Sequence, residues 1–169
     1  MDFHGRGVDQ MVLDQDVKAR GRPAVVLIDP EALASIEADA RRCYPAEAIG
    51  LLARAPESDT VLSGHVVVSE AVALTNRARH PGVSVQVSRA ERDQRLAELA
   101  ERGRETIGAY HSHPDGSAEP SAADLQAVRG AGVEIIASAG VTGVGMVRAW
   151  WLERDCEPIE LALELAPRL

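Results

Sequence analysis

Two histidines separated by one residue, His111 and His113, are the first feature of this sequence that could do chemistry. They follow an apolar run at residues 106–110 whose composition predicts a strand. In an extended strand, side chains two residues apart point to the same face, so both imidazoles can reach one point. Asp124, further along the chain, is a third potential ligand. Two neutral imidazoles and one carboxylate suit Zn²⁺ with its fourth position open to water, as in catalytic zinc sites.

Each of these residues also has an ordinary structural interpretation. Ser121 and Asp124 have the spacing of a helix N-terminus, with Ser121 as the N-cap and Asp124 in the first turn. Histidines near a strand end are also common as surface or hydrogen-bonded core residues. Glu47, at the edge of the apolar segment 46–53, could be solvated, paired or catalytic. The capping and chemical interpretations are compatible, because a helix start fixes the positions of a hydroxyl and a carboxylate.

Composition places the chain among globular proteins of one domain. Its 169 residues suit a single domain, and its net charge of -8 argues against a nucleic-acid partner. Cys43 and Cys156 are too few for a cysteine-based zinc site or a disulfide framework, and they fit the reduced thiols of a cytoplasm. No apolar run approaches a membrane span, and no secretory signal pattern is seen. We therefore expect a cytoplasmic protein that binds neither nucleic acid nor membrane.

The order of the remaining patterns favours an α+β fold. Residues 1–22 are polar and are expected to be an N-terminal extension, either an inert tail or a partner-binding arm, while residues 23–169 form the domain. Three helices are expected among a larger number of strands, without a β-α-β rhythm. The helices are expected at residues 29–43, 88–103 and 121–129, and the strands at 24–28, 46–53, 61–68, 71–75, 83–87, 106–110, 134–137, 146–152 and 159–165. We expect a curved, largely antiparallel or mixed sheet with helices on its faces.

Several single residues have a predicted place within these elements. Ser88 and Glu91 form a capping box at the start of the second helix. Cys43 lies on the apolar face of the first helix and is expected in the core. Trp150 and Trp151 are adjacent in a predicted strand, so one is expected in the core and the other on the surface.

The residues singled out above resemble the motif of the JAMM (MPN-plus) metallopeptidases. That motif is an upstream glutamate, then His-x-His-Pro, a spacer and Ser-x-x-Asp, which here are Glu47, residues 111–114 and residues 121–124. The segment 44–52 around the glutamate is also similar, and the spacer is short, as in compact bacterial members. The resemblance covers about residues 24–165. It implies a JAB/MPN-like fold of the cytidine-deaminase-like type, with a mixed, curved sheet flanked by helices.

The resemblance also implies a mechanism and a class of substrate. His111, His113 and Asp124 would bind one Zn²⁺ per chain, Glu47 would be the general base, and Ser121 would donate a hydrogen bond to the oxyanion. The implied reaction is hydrolysis of a peptide or isopeptide bond. The implied partner is a ubiquitin-like protein whose C-terminal tail ends in Gly-Gly. Our first expectation is a sulfur carrier, and the alternative is a modifier that is removed from target lysines.

The sequence departs from the family pattern at one motif-flanking position. Ile49 stands where many bacterial relatives carry cysteine, which affects substrate preference and not the ligand set. The long insertions of eukaryotic deubiquitinating members are absent, which favours a narrow specificity.

Two other functional classes are alternatives to the peptidase. An MPN domain without metal would be a scaffold or binding module. A zinc deaminase would need His-x-Glu and Pro-Cys-x-x-Cys, and neither occurs. The oligomeric state is open, with a homodimer as one alternative.

Overall fold

The computed structural model describes residues 21–56 and 64–167. The helices are α1 (Pro30–Cys43), α2 (Arg89–Glu101) and α3 (Ala122–Ala127), and the strands are β1 (Val25–Ile28), β2 (Ile49–Arg54), β3 (His65–Val68), β4 (Glu70–Leu74), β5 (Glu105–Pro114), β6 (Ala131–Gly140), β7 (Gly143–Glu153) and β8 (Ile159–Leu165). The extension predicted at residues 1–22 lies outside the described residues except for its last two. The start of the strand predicted at residues 61–68 also lies outside them.

The described strands form one mixed sheet in the order β3-β1-β8-β7-β6-β5-β2-β4. Strand β1 is parallel to β3 and β8, β5 is parallel to β6, and the other pairs are antiparallel. Although β3 and β4 lie at opposite ends of this order, only Ser69 separates them along the chain. The Ser69 backbone N–H donates to the Ala53 carbonyl of β2 at 2.9 Å. The sheet must therefore curl until its two edges meet, which confirms the predicted α+β class with a curved, mixed sheet.

The inside of the curled sheet holds the main hydrophobic core. Helix α1 packs there through Ala32, Ile36 and Ala40, against side chains of the strands. The helix begins as predicted, because the Asp29 carboxylate accepts from the Glu31 N–H at 2.8 Å and Pro30 occupies the first position. Cys43 packs against this core, as expected, and burial raises the pKa of its thiol.

Two smaller clusters cover parts of the outer face of the sheet. Leu99 of α2 packs with Ile49, Leu51 and Leu74 of β2 and β4. On the other side, Val128 and Ala118 pack over Ile136 of β6 and Trp150 of β7. Strand β5 lies between β2 and β6, so its outward side chains emerge between these two clusters.

Three predictions about the elements were wrong. Residues 83–87 form an irregular loop and not a strand. Ser88 precedes α2, but its side chain makes no capping hydrogen bond. Its expected partner, Glu91, instead accepts from the backbone N–H and the hydroxyl of Thr75 at 2.9 and 2.8 Å. Helix α3 ends at residue 127, earlier than expected, because Val128 is extended.

The expected contrast between the two tryptophans was also wrong, since both are buried. Trp151 faces the main core with 5% of its surface exposed, and Trp150 on the opposite face is 8% exposed. The Trp150 indole N–H donates to the Ala118 carbonyl at 2.9 Å, so a loop covers it. Sequence alternation placed the two rings on opposite faces correctly, but it could not show that both faces are covered.

Gly108 provides a test of the close approach of β5 and β6. A methyl group at this position would lie 2.0 Å from the Val133 carbonyl oxygen, so the two strands would have to separate. We expect Gly108→Ala to lower the free energy of unfolding by about 1–3 kcal/mol, measured by urea denaturation. Gly140→Ala is the matched control, because its methyl would meet only Asp115 Oδ1 at 3.4 Å. Equal stability of the two variants would contradict this packing.

Candidate metal centre

Strand β5 presents both predicted histidines on its outer face. His111 lies opposite Ile49 of β2 and Ile136 of β6, and it is 4% exposed. His113 is half-buried two residues further on. The two Nε2 atoms lie 3.0 Å apart. The predicted convergence of the two imidazoles is therefore present.

Asp124 reaches the histidines from the first turn of α3. Ser121 caps this helix, since its Oγ accepts from the Asp124 N–H at 3.2 Å and Asp124 Oδ2 accepts from the Ser121 N–H at 2.7 Å. The same Oδ2 lies 3.2 Å from His113 Nε2 and 3.5 Å from His111 Nε2. The capping interpretation is thus confirmed, and the capping box directs the carboxylate at both rings.

The Nδ1 atom of each histidine has its own hydrogen-bond partner, which leaves Nε2 of each ring to face Asp124 Oδ2. His113 Nδ1 lies 2.8 Å from the Ser117 carbonyl, which can only accept, so this nitrogen carries the proton. His111 Nδ1 lies 2.7 Å from Glu134 Oε1 and donates to that carboxylate. When Nε2 carries no proton, as zinc binding requires, each ring turns the lone pair of that atom towards Asp124 Oδ2.

This donor set fits a tetrahedral zinc ion. With zinc–ligand bonds of about 2.0–2.1 Å, two ligand atoms of a tetrahedron lie about 3.3 Å apart. The three distances here, from 3.0 to 3.5 Å, agree with that spacing. Among the described residues, His111, His113 and Asp124 form the group whose ligand atoms are close enough for one ion. Three converging acceptors need a positive charge between them.

The electrostatics of the three residues also favour a cation at this point. Burial lowers the pKa of His111, but hydrogen bonds to Asp124 and Glu134 outweigh it and raise the pKa to about 10. Burial acts to raise the pKa of Asp124, yet hydrogen bonds from the two imidazoles hold it well below its usual range. The surroundings therefore stabilise an anionic carboxylate next to positive charge.

Glu47 lies on the same side of the sheet, two residues before β2 begins. It is 8% exposed, and burial raises the pKa of its carboxyl while the imidazoles of His111 and His113 act in the opposite direction. Its neighbour Ala48 is joined to β5 at both backbone groups, through the Ser112 Oγ at 2.9 Å and the Ser112 N–H at 3.0 Å. A buried carboxyl with a raised pKa accepts a proton more readily than an exposed carboxyl does.

Two tyrosine hydrogen bonds tie α1 and the Glu47 segment to β5. The Tyr110 hydroxyl donates to buried Asp39 Oδ2 of α1 at 2.8 Å. The Tyr44 hydroxyl, at the end of α1, donates to Asp115 Oδ2 at 2.9 Å. Tyr44 lies three residues before Glu47, and Asp115 lies two residues after His113. This contact therefore links the segment that carries Glu47 to the strand that carries the histidines.

The loop after the histidines is pinned to β7 in its second half. Ala118 is buried under Trp150, and Glu119 pairs with Arg148 at 2.7 Å. Residues 115–117 and Glu119 are exposed, so this part of the loop surface is accessible while Ala118 is not. The pinned loop fixes the Ser117 carbonyl that orients His113.

Glu134 is the site residue that sequence reasoning missed. It interrupts an apolar strand, residues 131–140, and a charge at such a position signals a partner on the neighbouring strand. A carboxylate that accepts from the outer nitrogen of a metal-binding histidine fixes the ring and makes it a better ligand. The sequence signal was therefore available, but the partner could be named only from the strand register.

The sequence profile of the family described as prokaryotic homologs of the JAB domain matches residues 29–153. This span is most of the chain and includes every motif residue. The chain belongs to the prokaryotic JAB family.

Relatives of this JAB-family chain agree with the assignment. A desampylase of Haloferax volcanii is 33% identical over 82 residues, which are 48% of this chain and 54% of the relative. The chain thus matches about half the length of that curated relative. A solution structure from Salinibacter ruber has a TM-score of 0.59 at 28% identity, covering 83% of this chain and 91% of its own. Protein DSY2949 of Desulfitobacterium hafniense has a TM-score of 0.67 at 24% identity, covering 85% and 94%, and shows the same fold.

No helix within the described residues of this JAB-family chain is long and apolar enough to cross a membrane.

The role of Glu134 can be tested through metal affinity. We expect Glu134→Ala to weaken zinc binding by about 10–100-fold, because His111 loses the acceptor that orients its ring. Competition with a colorimetric chelator measures this directly. Glu134→Gln is the matched variant, since it keeps an acceptor oxygen without the charge and should lie between the two. An unchanged affinity in Glu134→Ala would contradict this role.

Proposed function

We propose that this chain is a zinc-dependent hydrolase that cleaves the peptide or isopeptide bond after the Gly-Gly tail of a ubiquitin-like protein. The observation that carries the proposal is the convergence of His111 Nε2, His113 Nε2 and Asp124 Oδ2 within 3.5 Å, with buried Glu47 on the same face. Membership of the JAB family supports it.

In this proposal His111, His113 and Asp124 hold the zinc ion. A bound zinc ion supplies a Lewis acid that acidifies water and polarises a carbonyl. Glu47 takes the proton from the attacking water and delivers it to the leaving amine. Its burial supports this role, because a carboxyl with a raised pKa holds a transferred proton more readily.

Ser121 is proposed to stabilise the oxyanion. Its oxygen already accepts the Asp124 N–H, so a lone pair serves the helix cap while the O–H stays available as a donor. The capping box holds the hydroxyl next to the Asp124 ligand. One residue can therefore serve both the helix and the reaction.

The likeness to a desampylase favours removal of a conjugated ubiquitin-like modifier as the reaction. We therefore propose this reaction ahead of the processing of a sulfur carrier, which is the alternative. The bond broken is the same in both cases, an amide after the tail.

A metal-free scaffold is the other class of function. Packing alone does not require an acceptor at the Nδ1 atom of each histidine, nor three metal-binding atoms that converge on one point. This arrangement favours the enzyme over the scaffold. The metal content of the purified chain separates the two, because a scaffold would contain no zinc.

The experiment is incubation of the zinc-loaded chain with ubiquitin-like proteins from its own genome. Each protein is supplied with a short extension after Gly-Gly and as an isopeptide conjugate on lysine. Mass spectrometry should show release at the Gly-Gly bond, with chelator treatment abolishing it. Intact substrates under all conditions would overturn the proposal.

Glu47→Gln tests the general base. We expect it to retain zinc and to lower kcat by a factor of about 10² or more, since the amide cannot take a proton. Metal analysis and steady-state kinetics measure the two properties separately. Asp124→Ala is the contrasting variant, because it should lose the metal. Full turnover by zinc-loaded Glu47→Gln would remove Glu47 from the mechanism.

Ser121→Ala separates oxyanion stabilisation from capping. We expect kcat to fall by a factor of about 10²–10³ with little change in KM. Ser121→Asp keeps a good N-cap without the hydroxyl donor, so it should restore helix stability but not kcat. If that variant recovers kcat, Ser121 acts only as a helix cap.

A further inference from the structure

The surface next to Glu47 has an unusual charge for this chain. It is built by residues 75–88, which join β4 to α2 and which we call the arginine loop. The loop contains Arg77, Arg79 and His80 and no carboxylate, whereas the whole chain has a net charge of -8. A local cationic surface on an acidic protein is a feature that electrostatic recognition would use.

The arginine loop packs directly on the segment that carries Glu47. The Pro81 carbonyl accepts the Glu47 N–H at 2.6 Å, and the Asn76 side-chain amide donates to the Glu47 carbonyl at 3.0 Å. A methyl group at Gly82 would lie 3.0 Å from the Pro45 carbonyl oxygen, so the two segments are in close contact. Any substrate bound at Glu47 therefore lies beside this loop.

The loop is held in one conformation by its own hydrogen bonds. The Asn76 amide nitrogen donates to the Glu47, Pro81 and Ser84 carbonyls, and its oxygen accepts from the Ala78 and Gln86 N–H groups. The Arg77 N–H donates to the Gln86 carbonyl at 2.7 Å. A preorganised loop loses little conformational entropy when a partner binds.

The side chains that this loop displays are those of a binding surface. Arg79 and His80 are exposed and have no ion pair within residues 21–56 and 64–167. The Arg77 side chain is 61% exposed, with Glu91 at 3.7 Å, and Val83 is 75% exposed. Exposed arginine and a nearby apolar residue on a rigid support characterise protein interfaces.

We propose that the arginine loop docks the folded body of the substrate protein through carboxylates that lie near the base of its tail. The inference rests on the proposed function and adds that the docking face of the substrate protein is acidic. The acidic remainder of the chain repels such a face, and the loop attracts it, so encounter is steered to the side of the molecule that carries Glu47. Val83, which is exposed on the same loop, supplies an apolar contact.

The test compares a whole substrate with its tail. The probes are a ubiquitin-like protein carrying a fluorogenic amide after Gly-Gly and the isolated tail peptide with the same amide. We expect Arg79→Glu to lower kcat/KM for the protein about tenfold at low salt, through KM, and to leave the peptide unchanged. Arg79→Ala should lie between, and added salt should shrink the difference.

Arg154→Glu is the matched control. Arg154 is an exposed arginine in the turn between β7 and β8. This turn lies beside Ala131, the first residue of β6, whereas His113 pairs with Ser138 near the other end of β6. It should leave both substrates unchanged. A protein substrate that is insensitive to Arg79→Glu, or cleaved faster by it, overturns the docking proposal alone. A wild-type chain that cleaves neither probe overturns the proposed function, and the docking proposal with it.

Discussion

The mutual repulsion of three acceptor atoms is the constraint on which the site depends. His111 Nε2, His113 Nε2 and Asp124 Oδ2 converge although none of them has a proton to offer the others in the neutral tautomers. Such an arrangement persists only if it is held from outside or filled by positive charge. Here it is held from outside by Glu134, the Ser117 carbonyl and the Ser121 capping box, and its spacing suits one zinc ion.

The curled sheet explains how residues distant in sequence reach this point. Because β5 lies between β2 and β6, the segment before β2 and the charged residue of β6 both flank the histidines. Hydrogen bonds from α1 on the inner face, through Tyr110 and Tyr44, then fix β5 along its length. The contacts of α1 that stabilise the fold therefore also set the positions of His111 and His113.

Much of this could be predicted from the sequence, because period-two spacing and capping chemistry are local. The convergence of His111 and His113 on β5, the cap at Ser121 and the α+β class needed only residue spacing and order. Glu134, the burial of Trp150 and the conformation of residues 83–87 depend on contacts between distant segments, which spacing cannot show. The Ser88 cap was wrong for the same reason, since Thr75, which follows β4, donates two hydrogen bonds to the Glu91 carboxylate.

The double role of Asp124 links metal to secondary structure. Helix α3 has only six residues, and none of them is buried, so its order depends on the capping box at its start. The oxygen that accepts the Ser121 N–H is also the oxygen that faces both imidazoles. Binding of the proposed ion and the folding of α3 would therefore be thermodynamically coupled, and removal of that ion would destabilise α3 as well as stop the proposed reaction.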